Sequence, residues 1–227
     1  MANSSIRGLV SASTRTSAIG PAMLAAAAVV AFSATGAMAD IVGVGGAVVL
    51  RDPPASILLN QWESSTEIRG WFERQVTLTS PLSLGHVNPG FVDNETQLVG
   101  GTVTSDTTVQ SYMVRLDPVA QGPITLTGFV VFDTPILGVL IGSQLGPTDA
   151  LLGRPGITYN ANSFRGLELN GVPGEDAFQI SADRLRIDFV VNVGEWTDDI
   201  RILTAVPSPS AAAILGLGGL MAARRRR

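Results

Sequence analysis

Between residues 40 and 205 the chain alternates apolar and polar positions with a period of two. "RLRIDFVVNV" puts Leu185, Ile187, Phe189, Val191 and Val193 on one face and Arg186, Asp188 and Asn192 on the other. That is the pattern of a strand with one face in a core and one in water. "VQSYMVRL" repeats it with Tyr112, Val114 and Leu116, and "PITLTGFV" with Ile124 and Leu126. Turn signals at Asp117-Pro118, Gln121-Gly122-Pro123, Asn170-Gly171 and Pro173-Gly174 separate such runs at the spacing of antiparallel all-β domains. "FQISADRLRIDF" reads as a hairpin turning near Ala182 and Asp183. One short helix is predicted in "PTDALLG", with Thr148 or Asp149 capping its first turn.

A sheet that is apolar on one side needs a second layer. The pattern therefore predicts an all-β chain with a single antiparallel β-sandwich over residues 40–204, the jelly roll being one topology it allows.

Both ends break this pattern. Arg7 and Arg15 precede the apolar run "AMLAAAAVVAF" (Ala22 to Phe32), and "SATGAMA" follows with small residues at Ala37 and Ala39. Positive charge, a short apolar run and small residues before a cleavage point make a secretory signal over residues 1–39, cut after Ala39. An uncleaved anchor is the alternative, but 11 apolar residues are few for a bilayer that takes ~20.

The other end, residues 205–227, reads "AVPSPSAAAILGLGGLMAARRRR". Its 14 small and apolar residues from Ser210 to Ala223 make a helix of about 21 Å against a hydrocarbon core of ~30 Å. Arg224, Arg225, Arg226 and Arg227 would stay on the cytoplasmic side and halt translocation.

Val206, Pro207, Ser208 and Pro209, the apolar run and the four arginines together resemble the PEP-CTERM sorting signal, with Ser208 standing where members usually carry glutamate. The resemblance covers Val206 to Arg227. It implies an exosortase-type membrane protease as partner, transient insertion in the inner membrane, and a host that makes extracellular polysaccharide. An ordinary C-terminal anchor is the competing reading, and both agree on export. The stretches "SSTEIRGWFERQ", "DALLGRPGITY" and "RGLELNG" are similar to central domains of uncharacterised PEP-CTERM proteins, a likeness that carries no known chemistry.

Composition narrows the possible activities. The chain has no lysine, and six of its 15 basic residues lie in the two end segments, which leaves nine arginines facing 19 acids between Asp40 and Pro209. Such a surface repels phosphate backbones, so no nucleic-acid partner is expected. The absence of cysteine excludes disulfides, thiolate metal sites and cysteine nucleophiles.

His86 is the only histidine, in "LSLGHVNPG", and reads as a surface loop residue. No Gly-x-Ser-x-Gly elbow accompanies it, so a hydrolase triad has no support. "GVGG" (Gly43 to Gly46) lacks the lysine of a phosphate loop and reads as a flexible start to the mature chain.

Acidic stretches at "PGEDAF" (Glu175, Asp176) and "GEWTDDI" (Glu195, Asp198, Asp199) read as solvated loops. Oxygen ligands from turns suit calcium, with Glu195, Asp198 and Asp199 as weak candidates, and no other cofactor is expected. Trp62, Trp71 and Trp196, with Tyr112 and Tyr159, are the rings that could stack on sugar.

Three functions follow. The first is a non-enzymatic exported protein held at the cell surface or released into an extracellular polysaccharide matrix. The second is a secreted carbohydrate-binding module, which needs at least two exposed tryptophans on one sheet face. The third is a glycoside hydrolase or lyase, which needs paired acids across a cleft.

Overall fold

The computed structural model describes residues 40–119, 123–162, 165–194 and 196–206. The first strands are β1 (Ile41–Gly46), β2 (Val48–Leu50), β3 (Ser56–Ile57), β4 (Ile68–Thr77), β5 (Leu82–Leu84), β6 (Gly90–Val92) and β7 (Gly101–Val103). Then come β8 (Thr108–Leu116), β9 (Ile124–Phe132), β10 (Ile136–Ile141) and the helix α1 (Leu145–Leu152). β11 (Thr158–Tyr159), β12 (Ala177–Ile180), β13 (Arg186–Val193) and β14 (Asp198–Ala205) complete the order.

Two five-stranded sheets form the sandwich, one ordered β1-β9-β13-β12-β6 and the other β10-β14-β8-β4-β2. Pairing is antiparallel throughout except for the β2/β4 and β3/β11 pairs. Val130, Phe132, Phe178, Ile187, Phe189 and Val191 of the first sheet meet Tyr112, Val114, Ile200 and Ile202 of the second in the central core. The far face of the first sheet looks to water, which is why β13 keeps a clean alternation of buried and half-buried positions. Its hairpin with β12 turns at Ala182 and Asp183 as expected. Arg184, at φ +61°, closes the turn with its N–H on the Ser181 carbonyl at 2.9 Å.

The second sheet differs from the expectation of one wet face. Helix α1 and the short strand pairs β3/β11 and β5/β7 supply a third layer. A second core of Trp71, Leu78, Val109, Met113, Leu140, Leu145, Leu152 and Leu203 lies under it. Eight of nine residues in β8 and seven of eight in β14 are therefore buried, and the period of two is invisible in their exposure.

Two local expectations are corrected. The "GVGG" stretch is no flexible lead: it is most of β1, paired with β9. Gly45 leaves room there for the Phe129 ring, which a Cβ would displace. Helix α1 starts at Leu145, three residues before the expected cap, and neither Thr148 nor Asp149 caps it. Thr148 Oγ1 instead donates back to the Gln144 and Leu145 carbonyls at 2.8 and 3.0 Å, and Asp149 turns toward arginines.

Those arginines are the main polar feature between the second sheet and its cover. Arg201 of β14 is fully buried. It grips Glu73 with two parallel bonds at 2.7 and 2.9 Å, donates to Asp149 at 2.8 Å and reaches Thr148 Oγ1 at 2.7 Å. Arg165 holds both Asp149 oxygens at 2.7 Å and lies 3.9 Å from Asp199. Arg115 of β8 lies 3.3 Å from Asp199 and 3.1 Å from Asp117. Burial works against the Arg201 charge, but Glu73 and then Asp149 outweigh it and raise its pKa above the usual arginine range. Arg201 remains charged throughout the accessible pH range.

Breaking a buried, fully bonded pair costs about 3–5 kcal/mol, because the abandoned partner keeps its charge without water. Arg201→Met retains the apolar stem and strands Glu73. Urea unfolding of the full chain is expected to show a loss of that size, and a loss below ~1 kcal/mol would contradict the role given to this network.

Candidate functional site

β12 and β14 begin near one end of the sandwich, and the segment after Arg165 crosses beside them. Gly166 donates to the Thr197 carbonyl at 3.1 Å. Asp176, just before β12, accepts from the Glu168 backbone N–H through Oδ2 at 2.6 Å and from that of Asn192 through Oδ1 at 2.7 Å. The first bond brings Asp176 to Glu168, and with Asp198 at the start of β14 one carboxylate oxygen from each of the three lies within 4.8 Å of the other two. Glu168 is exposed, whereas Asp176 and Asp198 are 2% and 3% exposed.

Burial pushes the Asp176 carboxyl up to about 6; its two backbone bonds oppose the shift, and the charges of Glu168 and Glu175 add to it. Burial raises Asp198 well above the carboxylate range, helped by Asp176, Glu168 and Asp199. Glu168 is raised as well, first by partial burial and then by Glu175.

This grouping differs from the acidic set expected in "GEWTDDI". Asp198 and Asp199 are adjacent on β14, so they point to opposite faces of the sheet. Asp198 joins Glu168 and Asp176, while Asp199 is fully buried beside Arg115 and Arg165. Neither is a solvated loop residue. Glu195 lies outside the described residues. Asp176 was visible in the sequence only as part of an acidic turn, and Glu168 was missed. The strand alternation of "DDIRILTA" already separates the two aspartates, but no local pattern brings Glu168 to them across the fold.

His86 is buried, not a surface residue, at 3% exposure. Its backbone bridges to Val139 of β10. Nδ1 accepts from the Val99 N–H at 3.1 Å, so the ring proton sits on Nε2, which donates to the Asn88 carbonyl at 2.7 Å. Both ring nitrogens are thereby committed to the backbone, and the ring meets the edge of Phe178 with centroids 5.5 Å apart.

The aromatic rings do not form a row. Trp71 lies in the second core at 3% exposure, with Trp62 edge-on at 5.4 Å and the Arg69 guanidinium 4.7 Å from the Trp62 ring. Trp196 alone of the three is exposed. Tyr112 is buried, its hydroxyl donating to Gln110 at 2.8 Å, and Tyr159 is half-buried in the second core. An open groove of about 660 Å³ runs past Arg51, Asp52, Phe72 and Arg154. On its rim Arg154 pairs with Asp52 at 2.9 Å and Arg51 with Glu67 at 2.8 Å.

Val206 follows β14 directly. Pro207, Ser208, Pro209, Arg224 to Arg227, Ala37 and Ala39 lie outside the described residues. Among the described residues no helix is long and apolar enough to cross a membrane.

The His86 geometry has a titration consequence. Burial, followed by the Arg184 charge, lowers its pKa below 6.5, and the Asn88 bond only partly offsets this. In the pH window between its lowered folded value and 6.5, the unfolded chain binds a proton that the folded chain refuses. Stability from this group is thus present above pH 6.5 and is lost as pH falls through the folded value. The chain has one imidazole, so a single NMR signal reports it. A midpoint below 6.5 is expected, and one at or above 6.5 would contradict the buried neutral ring. No family model matches the chain, and neither curated proteins nor solved structures provide a match.

Proposed function

We propose that this is an exported, non-enzymatic bacterial protein, processed at its C-terminal segment and retained at the cell surface or released into an extracellular polysaccharide matrix. The observation that carries the reading is the order of parts in the tail. Val206-Pro207-Ser208-Pro209 comes first, then the apolar run, then Arg224 to Arg227. The sandwich is compatible with removal of both ends. β1 begins at Ile41, just past the expected cut after Ala39, and β14 ends at Ala205, one residue before the tail motif. Cleavage at either point leaves every described strand intact.

The exosortase-type protease is the proposed partner, acting while the short apolar helix and its arginines hold the chain in the inner membrane. Pro207 and Pro209 favour an extended backbone there, the form a protease accepts. Support for a non-catalytic domain comes from His86, whose ring nitrogens are both engaged, and from Glu73, whose carboxylate is gripped by Arg201. The carbohydrate-binding alternative loses its main requirement because Trp62 and Trp71 pack against each other in a core.

Mass spectrometry of the protein recovered from its native host tests the reading. The expected mature chain begins at Asp40 and ends close to Val206–Ser210, and replacing Arg224 to Arg227 with serine should impair the second cut. Mature chains that still end in "AARRRR" would leave a simple anchor as the answer.

A further inference from the structure

We propose that Glu168, Asp176 and Asp198 form a calcium site at the end of the sandwich. Two independent features support it beyond the clustering of acids. The first is that the Asp198 carboxylate, 3% exposed and turned toward the other two, has an Oδ2 with no hydrogen-bond partner. A buried carboxylate oxygen left unsatisfied is costly, and a bound cation removes that cost.

The second is the charge balance. The charged groups that act on Glu168, Asp176 and Asp198 are themselves acids: one another, Glu175 and Asp199. Among the described residues no arginine forms an ion pair at this end as Arg115, Arg165 and Arg201 do on the opposite face of β14.

The geometry suits the ion. Calcium binds oxygen at about 2.3–2.6 Å, so two ligands on opposite sides of it stand about 4.6–5.2 Å apart. No two of the three carboxylate oxygens are more than 4.8 Å apart, so one ion can reach all three. An all-oxygen set without histidine or cysteine selects calcium over zinc or copper.

Asp176 is held by two backbone N–H groups and Asp198 by its strand, so two ligands are pre-positioned. Glu168 is exposed and offers the way in from solvent. The site stands on this geometry wherever the chain resides, and export would give it the calcium-rich surroundings that weak extracellular sites need.

The ion joins three parts distant in sequence: the 165–169 segment, the start of β12 and the start of β14. Its expected effect is therefore to stabilise the fold by binding the native state, with Kd in the ~10⁻⁴–10⁻³ M range of extracellular modules.

The test is titration calorimetry of the full chain, stripped with chelator, against calcium chloride, together with melting curves in calcium and in chelator. One saturable site is expected, with a calcium-dependent rise in Tm. Glu168→Gln, at an exposed position that leaves the fold intact, should weaken binding about tenfold or more, since each liganding charge tunes affinity. Asp199→Asn removes a neighbouring charge but no ligand, so it should change stability and lower calcium affinity far less than Glu168→Gln does. No saturable binding up to about ten times the upper Kd, or binding that survives Glu168→Gln and Asp198→Asn unchanged, would overturn the site.

Discussion

Three guanidinium groups are held out of water between a sheet and its cover, and most of the chain's arrangement answers to that constraint. Desolvating an ion costs several kcal/mol even after relaxation, so each buried arginine needs matched acceptors on rigid elements. Arg201 obtains them from two directions. The irregularity in β4 between Phe72 and Arg74 adds Glu73 to the strand, and its carboxylate meets both Arg201 and the Ser111 hydroxyl. Asp149 and Thr148 come from α1, which explains why Asp149 is not spent on a helix cap. Arg165 and Arg115 then tie the 165–169 segment and β8 to the same network through Asp149 and Asp199. The third layer is held on the sheet by charge as well as by the apolar contacts of Leu145 and Leu152.

β14 divides two electrostatic regimes. On one face Asp199 and Arg201 sit in a network where acids and arginines nearly balance. On the other, one residue earlier, Asp198 joins Asp176 and Glu168, and the charges that act on it among the described residues are acidic. Burial lifts the pKa of Asp199 despite Arg115, Arg165 and Arg201. It lifts Asp198 with nothing to oppose it. Each buried aspartate on this strand must be neutralised by a proton or matched by positive charge, and among the described residues arginine reaches the Asp199 face.

Legibility followed the environment of each strand. β13 was readable because its sheet has one wet face, so Ile187, Phe189, Val191 and Val193 stood out against Arg186 and Asp188. β8 and β14 were readable as strands but not in their burial. Ser111, Arg115, Asp199 and Arg201 look like solvent positions, yet they lie under a cover of α1 and strands of two or three residues, too short to show a period. Glycines misled in β1, where Gly45 marks a close approach by Phe129 and not a flexible lead. His86 misled because a histidine between a glycine and a turn carries no sign of the backbone groups that will enclose its ring. The acidic cluster depended on Glu168, 30 residues from Asp198 in sequence, and only the fold brings them together. The tail was the reverse case: its order of motif, apolar run and arginines is a local pattern, readable without any fold.

The contrast between the two faces of β14 is tested most directly by a crystal structure of the protein grown in calcium, with anomalous scattering used to locate the ion. A single calcium peak bounded by Glu168, Asp176 and Asp198, with none beside Asp199, is the result expected if arginine serves one face and a cation the other. A peak at Asp199, or three carboxylates joined by short mutual hydrogen bonds with no ion between them, would contradict that division.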